Sequence, residues 1–84
     1  MLKRKGFETI LASPADHERL VAEIYYDGFF VALVSQERGE GLFEVETPGS
    51  DLIENRIIRK VDAVGFLNAV DEARRRLHGK KPLP

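Results

Sequence analysis

The side chains able to do chemistry fall into short clusters, and none has the spacing a reaction requires. Asp16-His17-Glu18 sets three ionisable groups side by side. A metal site needs ligands that converge in space, and three chain neighbours need help from another segment to do so. His78 stands far along the chain, so the cluster reads as a solvated turn. Ser35-Gln36-Glu37 offers a hydroxyl and a carboxylate, yet nothing orients His17 or His78 against Ser35, and the segment is not a nucleophile elbow. It reads as the solvated end of a hairpin. Glu23, Glu44 and Glu46 could share one sheet face, but paired carboxylates also need a cleft to hydrolyse a glycoside. Gly39-Glu40-Gly41 lacks the Lys-Ser/Thr and the following helix of a phosphate loop. The expectation is a protein that binds rather than catalyses, with no catalytic residue, metal or cofactor.

Composition agrees with a small folded binder. The chain has 84 residues, 43% hydrophobic and 32% charged, which is a globular rather than a disordered profile. Thirteen Lys+Arg against fourteen Asp+Glu leave a net charge of -1, so no global field draws the molecule to nucleic acid or an anionic membrane. Without cysteine there are no disulfides and no thiolate sites, and a reducing cytoplasm is the expected location. No apolar run approaches the roughly 20 residues of a membrane span, and Met1 to Lys5 does not read as a signal peptide.

The elements that must position any site follow from turn chemistry and periodicity. Asp27-Gly28 between two apolar runs predicts a two-residue type I′ hairpin. The strands flanking it run over about 19–26 and 29–37. Strict alternation pairs Tyr26 with Phe29, Ile24 with Val31, Ala22 with Leu33 and Leu20 with Ser35 on the core face. The reverse face then carries Tyr25 with Phe30, Glu23 with Ala32 and Val21 with Val34. Phe7 to Leu11 reads as a first strand ended by Ser13-Pro14, with a turn or a single helical turn at 14–18. Residues 42–47 read as another strand, with Phe43 opposite Ser35 and Val45 opposite Leu33. A short strand at 56–59 is an open option. Asp62 is a good N-cap for a helix over 63–78, with Val61 and Phe66 in staple positions. Phe66, Leu67, Val70, Ala73, Arg74 and Leu77 follow its stripe, Gly79 ends it, and 79–84 form a tail. The fold class is α+β: a three- or four-stranded antiparallel meander packed on a C-terminal helix, in one domain.

On this plan the second sheet face carries an apolar band of Val21, Tyr25, Phe30, Ala32, Val34 and Leu42. Apolar patches rimmed by charge mark protein contacts. The expected partner is another protein, or a second copy of the chain, meeting Tyr25, Phe30, Val34 and Leu42, with Glu44 and Glu46 at the rim. The alternative is a nucleic-acid-associated regulator using Arg74, Arg75, Arg76, Lys80 and Lys81. A segment of the chain's own, the first strand, residues 12–19 or residues 50–60, could instead cover the face, and Ile57 and Ile58 are able to do so.

The run from Glu23 to Glu37, EIYYDGFFVALVSQE, followed by Gly41 to Glu46, GLFEVE, resembles a group of small bacterial proteins. Their layout is strand, glycine turn, strand ending in Ser-Gln-Glu, acidic strand and final helix. Some proteins of this kind are similar to immunity proteins that neutralise toxins of competing bacteria. The resemblance implies binding without catalysis. It makes Glu37, Glu40, Glu44, Glu46, Asp51 and Glu54 candidates for meeting a basic toxin surface.

Overall fold

The structure, a computed structural model, describes residues 6–49 and 54–78. Among the described residues a four-stranded antiparallel sheet packs one face against a single helix. The strands are β1 (Phe7–Ala12), β2 (Val21–Tyr26), β3 (Phe29–Ser35) and β4 (Glu44–Glu46), in the spatial order β1-β2-β3-β4. A 3-10 turn at Glu54–Arg56 precedes the helix α1 (Ala63–Leu77).

The hairpin forms at Asp27-Gly28, where both residues hold positive φ, 51° and 87°. This is the type I′ requirement. Tyr26 pairs with Phe29 and Tyr25 with Phe30, as the turn dictates. One step further the register shifts: Ile24 lies opposite Ala32 rather than Val31. A β-bulge has inserted one extra residue into β3. From Ala32 onward every side chain of β3 therefore swaps faces relative to strict alternation. Ala22 and Ile24 meet Val31, Ala32 and Val34 on the helix side, and Leu33 and Ser35 turn to the second face.

The bulge corrects two expectations. Val34 and Ala32 belong to the buried core, at 1% and 0% exposure, not to the exposed band. Leu33 is not a core residue. The β3–β4 register moves by one as well, with Leu33 opposite Glu46, Val34 opposite Val45 and Ser35 opposite Glu44. Strand β4 is confined to 44–46, because the loop after Ser35 is longer than a three-residue turn. Gln36 organises that loop. It is buried; its Oε1 accepts from the Gly41 N–H at 3.0 Å, and its Nε2 donates to the Leu77 carbonyl at 3.2 Å. The hairpin end read as solvated is thus tied to the last turn of the helix. Leu42 lies in this loop, exposed, outside β4.

The helix begins at its N-cap, where the Asp62 carboxylate accepts from the Gly65 N–H at 2.8 Å. Small residues let it come close to the sheet. Ala69, Ala73 and Leu77 are buried, and Phe66 and Val70 flank them. Leu67, placed on the stripe by periodicity, is 65% exposed. At Gly65 the approach leaves no room for a side chain: a Cβ there would sit 2.6 Å from the Phe7 ring. Phe7 and Tyr26 meet at a tilt of 59° with ring centroids 5.0 Å apart, and both pack against the core. Phe29 is left 41% exposed. Ile57 forms one parallel bridge to Phe30, which is all that remains of a strand at 56–59. Ile58 and Val61 complete the core.

Candidate functional site

The second face of the sheet holds a groove of about 770 Å³. Register decides what lines it. Glu23 on β2, Leu33 on β3 and Glu46 on β4 lie in one row across three adjacent strands. Strand spacing puts Glu23 and Glu46 roughly 10 Å apart, with Leu33 between them. Next along the strands, Tyr25 and Phe30 stand opposite each other with ring centroids 5.7 Å apart in an edge-on contact. Ile57, almost fully buried, borders Phe30. The floor is therefore apolar and aromatic, and carboxylates stand on both sides.

The Tyr25 hydroxyl donates to Glu23 Oε1 at 3.0 Å. Partial burial, aided by this carboxylate, holds the phenol above its ordinary pKa. Tyr25 is therefore held as a neutral ring beside Glu23.

One end of the face is closed by the chain itself. Residues 13–20 cross there as a strap that turns at Pro14, whose carbonyl accepts from the His17 N–H. Two clasps hold it. The Glu37 carboxylate accepts from the N–H groups of Glu18 and Arg19, at 2.8 and 2.9 Å. The first of these bonds draws the Glu37 carboxyl below the usual range. His17 makes the second clasp. Its Nε2 donates to Glu46 Oε2 at 3.0 Å and its Nδ1 to Asp16 Oδ1 at 2.9 Å. The same Glu46 oxygen accepts from the buried Ser35 hydroxyl at 2.8 Å. Two carboxylates on one ring favour the imidazolium, and the Glu46 bond leads in raising the His17 pKa above 6.5. The hydrogen bond from His17 lowers the pKa of Asp16 in turn.

The cluster read as a solvated turn is thus partly corrected. Asp16 is open to water, but the His17 side chain is only 7% exposed. Val21 beside the strap is fully buried without joining the helix-side core. Ser35 and His17 share Glu46 but do not bond each other, so no nucleophile–base pair forms.

Of the residues assigned to partner binding, Tyr25, Phe30 and Glu46 come together in the groove. Glu44 sits on the same face, paired with Ser35 and exposed, outside the groove lining. Val34 is in the core and Leu42 in the distant loop. Sequence reasoning placed Leu33 in the core and so missed it here; alternation gave no signal, since Phe30 to Val34 is apolar throughout and carries no polar residue to mark its phase. Ile57, named from the sequence as able to cover this face, does reach it through its bridge to Phe30. Asp51 lies outside the described residues.

The basic residues are arranged differently. Arg74 pairs with Asp71 at 2.6 Å, Arg75 with Glu72 at 2.7 Å, and Arg76 with Glu72 at 2.8 Å. Arg74 and Arg76 in turn hold the Asp71 and Glu72 carboxyls below their ordinary values. Arg76 also donates to the Thr9 carbonyl at 2.9 Å, covering the outer edge of β1. These guanidiniums serve helix and sheet edge first. Lys80, Lys81 and Gly79 lie outside the described residues. Among the described residues no group of His, Asp and Glu is placed to hold a metal ion, and no helix is long and apolar enough to cross a membrane.

Comparison of the chain with protein-family models, with curated proteins and with solved structures gives no match.

Proposed function

We propose that this chain acts by protein–protein contact through the groove on its second sheet face, in the manner of an immunity or antitoxin-like inhibitor. One observation carries the reading: Tyr25 and Phe30 form an aromatic pair in a groove that the helix does not cover. Aromatic side chains held on a rigid sheet lose little freedom on binding and make strong anchors. The acidic flanks favour a basic partner over a second copy. Two copies meeting face to face would bring together two grooves that are both net acidic, a like-charge juxtaposition that complementary interfaces avoid.

The test is site-directed photo-crosslinking in cells. A photoreactive residue replaces Phe29, which is exposed at the groove border. An adduct with a second protein is expected, and it should disappear when Tyr25→Ser and Phe30→Ser are added. The combined variant must keep the circular dichroism of the folded chain. An adduct that survives the change, or its absence from the parent, would overturn the reading. An adduct of the chain with itself would replace the foreign partner by a homodimer.

A further inference from the structure

We infer that the groove seats a single lysine or arginine side chain of the partner, its alkyl stem on Leu33 and Phe30 and its charged head against Glu23. The inference rests on the protein-contact reading and goes beyond it by naming the group recognised.

Three independent features of the groove converge on a cation with an apolar stem. The first is the row Glu23–Leu33–Glu46, fixed by strand register rather than by flexible loops. A long basic side chain laid across this row has carboxylates ahead of it and behind it, and a leucine beneath its methylenes. Lysine and arginine bury their stems on apolar surface while their heads stay polar, which fits such a floor. The second is the aromatic pair. The face of an aromatic ring attracts a cation within about 6 Å of its centroid, and the contact strengthens as water is displaced. Tyr25 is held in place by its hydroxyl bond to Glu23, so ring and carboxylate are positioned together. The third is the balance of charge. Asp16, Glu23 and Glu46 face the groove against Arg56 and the His17 ring. His17 is already bonded to Asp16 and Glu46. Glu23 accepts only the neutral Tyr25 hydroxyl among the described hydrogen bonds. Its charge therefore lacks a cation in this network, and it is the carboxylate left for a ligand.

The same features argue against an anionic or purely apolar occupant. An acidic segment would meet Glu23 and Glu46 at both ends of the row. A wholly apolar one would bury the Glu23 carboxylate without compensation, which is costly.

The experiment is an amide NMR titration of the whole chain with acetyl-Leu-Arg-Leu-amide, and with acetyl-Leu-Glu-Leu-amide as the charge control. The arginine peptide should shift the amides of Glu23, Tyr25, Phe30 and Leu33, saturating at millimolar concentration. The glutamate peptide should leave them unmoved. Glu23→Gln preserves an acceptor for the Tyr25 hydroxyl, so its spectrum should stay that of the folded chain while affinity for the arginine peptide falls at least fivefold. Raising salt should weaken the parent more than the variant. Equal response to both peptides, shifts spread over the surface, or no change in affinity on Glu23→Gln would each overturn the seat. A crosslinked partner that depends on Tyr25 and Phe30 but is indifferent to Glu23→Gln would refute the seat and leave the protein-contact reading standing.

Discussion

Replacing Leu33 and Val34 in turn by alanine tests the feature on which the groove depends. Strict alternation from the Asp27-Gly28 turn puts Leu33 in the core and Val34 on the surface, and the bulge between Phe30 and Ala32 reverses them. Val34 is 1% exposed and sits among Ala22, Ile24 and the helix. Val34→Ala removes two carbons worth about 0.8 kcal/mol each when buried. The void they leave adds more, for a loss of about 2–3 kcal/mol. Leu33 is half-buried on the groove floor, where its loss exposes little and opens no sealed cavity. Although three carbons are removed, Leu33→Ala should cost only about 1 kcal/mol. Urea unfolding followed by circular dichroism separates the two, since a slope of about 1–3 kcal/mol per molar turns the Val34 loss into a midpoint shift of roughly 1 M or more. In thermal unfolding the same loss is roughly 8–24 °C for a domain of this size. The slope should match the parent, showing that the denatured state is unchanged. A larger loss for Leu33→Ala than for Val34→Ala would refute the bulged register. With it would go the row of Glu23, Leu33 and Glu46.

Other perturbations have equally definite outcomes. Gly65→Ala should gain about 1 kcal/mol from helix propensity alone, but the new Cβ would meet the Phe7 ring at 2.6 Å. Overpacking costs about 1–3 kcal/mol, so the net effect on unfolding free energy should be a loss, turning to a gain in a Phe7→Ala background. Gln36→Leu leaves the Gly41 N–H and the Leu77 carbonyl without their side-chain partner. It should cost about 2 kcal/mol, with the amides of 36–42 losing hydrogen-exchange protection first. For His17 the folded pKa is raised, chiefly by the bond to Glu46. The stabilisation is therefore complete below the unfolded value near 6.5 and is lost as pH rises through the folded value. Unfolding midpoints measured upward from pH 6 should fall in the parent, and this fall should be absent in His17→Gln.

Much of the fold was legible because local chemistry and the global plan agree. The Asp27-Gly28 turn, the N-cap at Asp62 and the apolar strands each act over a few residues, and each is found where those residues stand. The helix surface was read only in part. Leu67 fits the period of the stripe, yet Ala69 takes the buried position because only a small side chain lets the helix approach the sheet closely. Polar residues were misread where their partners are distant in the chain. Gln36 bonds the Leu77 carbonyl across 41 positions and His17 bonds Glu46 across 29, and no local pattern announces either.

The candidate site divides along the same line. Sequence alone determined that Tyr25 and Phe30 pair beside a type I′ turn on the face away from the helix, because the turn fixes the register for the residues nearest to it. Only the tertiary structure decided what surrounds them. In an unbroken apolar run a one-residue bulge exposes no polar side chain to the core, so hydrophobicity is nearly indifferent to the phase of Ala32, Leu33 and Val34. In the folded chain Ala32 and Val34 join one buried core with Ala22, Ile24, Ala73 and Leu77, contacts far apart in sequence, and Leu33 is turned outward between two carboxylates.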